Sequence, residues 1–83
     1  MTHHTSPEFR ELFERLPPEV QQLARSNYQL LRENPRHPSL HFKKVGPYWS
    51  VRVGLGYRAL GTELPGAILW VWIGSHADYD KLT

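Results

Sequence analysis

Arg52 and Arg58 stand on either side of the loop Gly54-Leu55-Gly56 in the stretch WSVRVGLGYRAL, residues 49–60. A loop of this kind closes a short β-hairpin, in which Val53 pairs with Tyr57 and Arg52 lies opposite Arg58. Both guanidinium groups then share one side of the sheet. Like charges directly opposite each other destabilise a strand pair, by roughly 0.2 to 1 kcal/mol. A polyanion between them removes the conflict, because a phosphate converts the repulsion into two charge-assisted contacts. The competing reading is a pair of solvated arginines whose stems cover apolar surface. Ser50 belongs to the same side, and His41 and Lys43 join it if the first strand lies alongside.

His76, Asp78 and Tyr79 follow the last apolar run, where a side chain can fold back over the open side of a sheet. Histidine takes or gives a proton near neutral pH, and tyrosine stacks on a base or donates a hydrogen bond. A cluster of cations beside a histidine is the minimum for cutting RNA without a metal. The 2′-hydroxyl must lose a proton, the phosphorane needs positive charge around it, and the leaving 5′-oxygen must gain a proton. Taken alone, a histidine at the place of His76 is more often an ordinary loop histidine than a catalyst. His3, His4, His37 and His41 have no cysteine or acidic partner at ligand spacing, so no metal site is expected. Glu8, Glu11, Glu14 and Glu19 read as helix surface charge. The three tryptophans read as core or interface aromatics.

These residues must be positioned by a small chain. Eighty-three residues support one modest core. The formal charge is +2 and the pI about 9.2, a mild bias toward anionic partners. With no cysteine there are no disulfides and no thiolate metal sites, which suits a reducing cytosol. The longest apolar run, AILWVWI, has the length of a strand and falls far short of a membrane span. MTHHTSPEF has no stretch resembling a signal peptide. A cytoplasmic location is therefore expected.

Residues 1–6 are polar and are expected to be disordered or a short edge segment. From Pro7 the period is helical, with Phe9, Leu12, Phe13 and Leu16 on one face, Ser6 as cap and Pro7 in the first turn. Pro17-Pro18 separates this helix from a second, whose stripe is Val20, Leu23, Ala24, Asn27, Tyr28 and Leu31. The connection allows only an antiparallel pair. After NPRHPS the period switches to 2: Leu40 and Phe42 alternate with His41 and Lys43, and Trp49, Val51 and Val53 alternate with Ser50 and Arg52. Tyr57 opens a third strand, Leu64-Pro65-Gly66-Ala67 forms a type II turn, and AILWVWI is the fourth strand. The register of that turn leaves the faces of Trp70 and Trp72 open. The tail is expected to be a loop with at most a helical turn. The fold class is α+β: an N-terminal antiparallel helix pair packed on one face of an antiparallel meander of about four strands.

The segments LPPEVQQLARSNYQLLRENPRHPSLHFKKV, YWSVRVGLGYRAL and WIGSHADYDKL resemble the RelE/ParE superfamily of toxins from toxin–antitoxin systems. The resemblance runs from about Phe9 to Leu82, and its most specific element is the arginine-bearing strand followed by GYR and then GSHADY. It implies a single toxin domain over residues 7–83, with the helices on one side of the sheet and a concave surface on the other. It further implies metal-independent, cofactor-free cleavage of mRNA on the ribosome, as in RelE-like members. The alternatives are gyrase inhibition, as in ParE-like members, and a binding module without catalysis. Residue by residue, Arg58 matches the phosphate-binding arginine, His76 the histidine after the last strand in the YafQ-like group, and Tyr79 the C-terminal aromatic. Arg52, Lys43 and Lys44 match basic residues that hold RNA. A cognate antitoxin is the implied protein partner.

Overall fold

The computed structural model describes residues 1–82. Thr83, the last residue of the expected domain, lies outside them. Ser6 caps the first helix, α1 (Pro7–Glu14): its hydroxyl accepts the Phe9 N–H at 3.0 Å, and Pro7 occupies the position where a missing N–H costs nothing. Two prolines break the chain before α2 (Pro18–Glu33). The Gln21 side-chain amide closes the junction, reaching the carbonyls of Phe13, Glu14 and Leu16 at 3.1–3.2 Å. On α2, Val20 and Leu31 are buried, whereas Leu23 and Tyr28, which the periodicity puts on the same stripe, remain 39% and 42% exposed. Asn27 lies on that stripe for a polar reason. Its amide donates to the Arg52 carbonyl at 3.2 Å and pins α2 to the arginine hairpin.

Five strands form one mixed sheet in the order β1-β5-β4-β3-β2: β1 (Thr2–Thr5), β2 (Lys43–Val45), β3 (Tyr48–Val53), β4 (Tyr57–Leu64) and β5 (Ala67–Ser75). The hairpin register is as the sequence requires, with Val53 opposite Tyr57 and Arg52 opposite Arg58. Gly54 sits at φ +63°, where a side chain is strained, and a Cβ there would also run into Leu23. Leu64 pairs with Ala67 across the two-residue turn Pro65-Gly66. The helix face carries Val51, Val53, Ala59, Ile68, Trp70 and Ile73, all buried and packed with Leu31 and Leu40 into one core. Burying each large aliphatic side chain contributes about 1.5–3 kcal/mol, so this layer is what holds the open face in shape.

Three expectations need correction. The sheet is not a purely antiparallel meander of four strands: of the two expectations for residues 1–6 the edge segment is the one observed, and Thr2–Thr5 runs parallel to β5 as a fifth strand, Thr2 opposite Ala67 and Thr5 opposite Trp70. Edge strands are commonly short and polar, which keeps the open side of the ladder from pairing with another chain. The strand expected at Leu40–Lys43 begins only at Lys43. Pro38–Leu40 makes a 3-10 turn, and His41 takes a left-handed conformation at φ 45°, so Leu40 reaches the core from a turn. The tail is a helix, α3 (His76–Leu82), with the Ser75 hydroxyl accepting the Asp78 N–H at 3.1 Å in the manner of an N-cap. No helix among the described residues is long and apolar enough to cross a membrane.

His3 ties β1 to the core. Its Nδ1 accepts the indole N–H of Trp70 at 3.1 Å, its ring lies nearly parallel to that indole, and Tyr28 meets it edge-on. Burial lowers the His3 pKa below the ordinary 6.5, with smaller contributions from the N-terminus, Arg32 and His4. Below 6.5 the unfolded chain takes up a proton that the folded chain resists. The contribution of His3 to stability is therefore complete above that value and lost as the pH falls through the lower, folded one. In urea titrations the parent should lose more stability than His3→Asn between neutral pH and about pH 5. Equal losses in the two proteins would contradict this role.

Candidate functional site

The open face of the sheet holds most of the residues that the sequence singles out. Across its centre, Ser50 pairs with Leu60 and Leu60 with Trp72, while Arg52 pairs with Arg58 and Arg58 with Gly74. Alternation puts these side chains opposite the core. The turn into α3 then swings the tail over them. The His76 N–H donates to the Gly56 carbonyl at 2.7 Å, so α3 starts at the hairpin loop itself.

Arg58 is the hub. Its Nε–H donates to His76 Nδ1 at 3.4 Å, its Nη1 to the Ser50 hydroxyl at 3.3 Å, and its guanidinium carbon lies 5.2 Å from the centre of the Tyr79 ring. His76 and Tyr79 are stacked, with centroids 6.0 Å apart and planes at 15°. Their spacing of three residues on α3 places both rings on one side of the helix. With Nδ1 as the acceptor, the proton of the neutral imidazole sits on Nε2, free to be given up or taken back. Arg58 is half-buried and His76 exposed, so a ligand can reach both.

Arg52 turns toward the other side of the hairpin's open face: its Nη1 lies 3.2 Å from His41 Nε2. His41 therefore reaches the open face, but from the left-handed turn and not from a strand. Lys43 pairs with Ser50 at the edge and remains exposed. Among the described residues, neither arginine nor Lys43 forms an ion pair with a carboxylate. No carboxylate among the described residues therefore offsets the attraction of these cations for an anion.

Lys44 does not belong to this group. It pairs with Trp49 on the opposite face, its ammonium 5.3 Å from that indole's centre and 3.7 Å from Glu63, which also accepts the Trp49 indole N–H at 2.9 Å. Adjacent strand residues point to opposite sides, so Lys43 and Lys44 could not both face the arginines.

Ser50, which the alternation places on this side, is fully buried and is the hydroxyl that orients Arg58. One participant escapes a reading of the sequence. Trp72 comes to the open face through a β-bulge. Trp70 pairs with Gly61 and Trp72 with Leu60, leaving Val71 as the extra residue, so two tryptophans spaced like same-face neighbours lie on opposite faces. The available signal was Gly74, because glycine inside a strand marks a bulge or a close approach. A Cβ at Gly74 would lie 2.6 Å from the Trp72 ring.

A model of the ParE-like toxin domain family matches residues 18–81. No curated protein matches the chain. Among solved structures, the chain is similar to one in the RelB–RelE antitoxin–toxin complex from Methanococcus jannaschii, with a TM-score of 0.73 at 15% identity, covering 96% of this chain and 99% of that one. It is similar to YafQ from Escherichia coli strain BL21(DE3), with a TM-score of 0.69 at 13% identity and coverage of 93% and 94%. It is also similar to the isolated RelE toxin of E. coli, with a TM-score of 0.66 at 10% identity and coverage of 98% and 94%. Identities this low speak for the fold.

Proposed function

From the premise that this chain belongs to the ParE-like toxin domain family, we propose that it is a toxin that cuts mRNA on the ribosome without a metal or other cofactor. The observation that carries the reading is the contact of Arg58 with both His76 and Tyr79 on the open face. In the reaction, the 2′-oxygen of the RNA loses its proton and bonds to phosphorus. The bond from phosphorus to the 5′-oxygen breaks, and that oxygen gains a proton. The products are a 2′,3′-cyclic phosphate and a 5′-hydroxyl. Arg58 faces the charge that builds on the phosphorane, where a preorganised cation acts most strongly. His76 moves a proton at Nε2. Tyr79 stacks on a base beside the cut, and Arg52 and Lys43 hold the RNA backbone.

An antitoxin is the second partner in this reading. RelE toxins have been solved in complex with RelB antitoxins. Here an acidic antitoxin segment would find the unpaired cations of the open face, so antitoxin and RNA would compete for Arg52 and Arg58. Arg52→Ala should weaken both ligands and lower the slope of log affinity against log salt by about 1. An unchanged slope would put the partners elsewhere.

Gyrase inhibition is the second functional reading, favoured by the ParE-like description of the matching family. Induced expression separates the two. Growth arrest accompanied by fragmented mRNA supports the nuclease. Arrest with intact mRNA and inhibited supercoiling supports the gyrase reading, and no arrest leaves a binding module.

A further inference from the structure

Beside the Arg58–His76 pair, the open face carries a recess of about 290 Å³ walled by Leu60, Val71, Trp72 and Tyr79, with Tyr48 and Leu82 at its rim. Among the described residues, no charged side chain lines it. Two features of the chain combine to build it. The bulge at Leu60/Gly61 turns the Trp72 indole away from the core, and Gly74 leaves the space into which that indole extends. Without the bulge, Trp72 would follow Trp70 to the helix side. Burial does not require the displacement, because Trp72 stays only half-buried where it is.

Tyr79 belongs both to the recess and to the charged cluster. It lies 6.5 Å from Trp72 and 6.0 Å from His76 between ring centres, and it sits under the Arg58 guanidinium. Gly74, the residue that admits the indole, is also the strand partner of Arg58. A cation for a phosphate and a flat apolar wall therefore lie side by side. A single-stranded nucleic acid offers the same alternation along its chain, a charged phosphate next to a base with an open π-face.

We propose that this recess holds one unpaired nucleobase of the RNA, stacked on Trp72, next to the phosphate bound by Arg58. The proposal rests on the RNA-cutting reading and adds the residue that seats the base. Recognition there is by stacking, since the walls are apolar, so it tolerates any base. Stacking also fixes the strand on one side of the scissile phosphate, which brings the 2′-oxygen within reach of the cluster.

The test uses the full-length protein and two fluorescent 2′-O-methyl oligomers of equal length, one of adenylate and one abasic. Neither can be cut, because the attacking hydroxyl is blocked. Trp72→Ala should bind the adenylate oligomer on the order of tenfold more weakly than the parent does and bind the abasic one unchanged. Trp72→Phe should keep most of the affinity, and Arg58→Ala should weaken both oligomers. Melting curves close to the parent's establish that the variants are folded. If Trp72→Ala leaves both oligomers unaffected, or weakens both equally, the proposal is overturned while the RNA reading stands. It is overturned likewise if Trp72→Ala weakens only the binding of an antitoxin. A parent that binds neither oligomer overturns both.

Discussion

Replacing His76 or Arg58 with alanine should lower the rate of mRNA cleavage by about 10²–10⁴-fold while leaving a folded protein. A positioned histidine acting in proton transfer contributes that much, and a cation lost from the transition state costs a comparable amount. The structural reason for the contrast with stability is exposure. His76 is exposed at the start of α3, and its ring is held by Arg58 and Tyr79 without burial in the core. Arg58→Ala removes contacts to Ser50, His76 and Tyr79, none of which is an ion pair. It also removes the repulsion from Arg52, so the net change in melting temperature should be small. Single-turnover cleavage on programmed ribosomes, paired with thermal melts, checks both halves. Full activity in both variants would place catalysis elsewhere, and collapse of the fold in both would make the cluster structural.

Trp70→Ala should remove about 3–5 kcal/mol, a loss large enough to unfold much of the population of a domain this small. Trp70 is 4% exposed, packs against Phe42 and His3, and donates its indole N–H to His3. Its removal leaves a cavity and frees the main side-chain anchor of β1. Trp72→Ala, only two residues away, should cost far less because that indole is half-exposed on the opposite face. Urea unfolding of the two variants measures the bulge directly: similar losses would mean that the two indoles share a face.

That pair of residues also marks where the sequence becomes unreadable. The hairpin is legible because Gly54 and Gly56 bracket a loop whose length dictates the pairing, and so the opposition of Arg52 and Arg58 follows from counting. The helices are legible from their period and from Ser6, Pro7 and Pro18. The faces of Trp70 and Trp72 are not, because one bulged residue reverses the alternation and no residue type demands a bulge at Val71. The strand Thr2–Thr5 has no apolar alternation to reveal it. Its support is a ladder to β5 and a hydrogen bond from a side chain 67 residues away. Alternation alone puts Lys43 with the arginines, whereas the resemblance offers Lys43 and Lys44 together; the pairing of Lys43 with Ser50 and Lys44 with Trp49 separates them. His76 and Tyr79 could be named in advance, but their meeting with Arg58 depends on α3, which Ser75 caps and Gly56 anchors.

The central claim is that this cluster makes the 2′-oxygen of the RNA attack the neighbouring phosphorus. An mRNA carrying a single 2′-deoxy nucleotide at the cleaved position, presented on programmed ribosomes, tests it most directly. The expected result is that the parent protein no longer cuts the substituted position, while the unmodified mRNA yields fragments ending in a 2′,3′-cyclic phosphate. Undiminished cutting at the deoxy position would contradict the account, because water and not the RNA's own hydroxyl would then be the nucleophile.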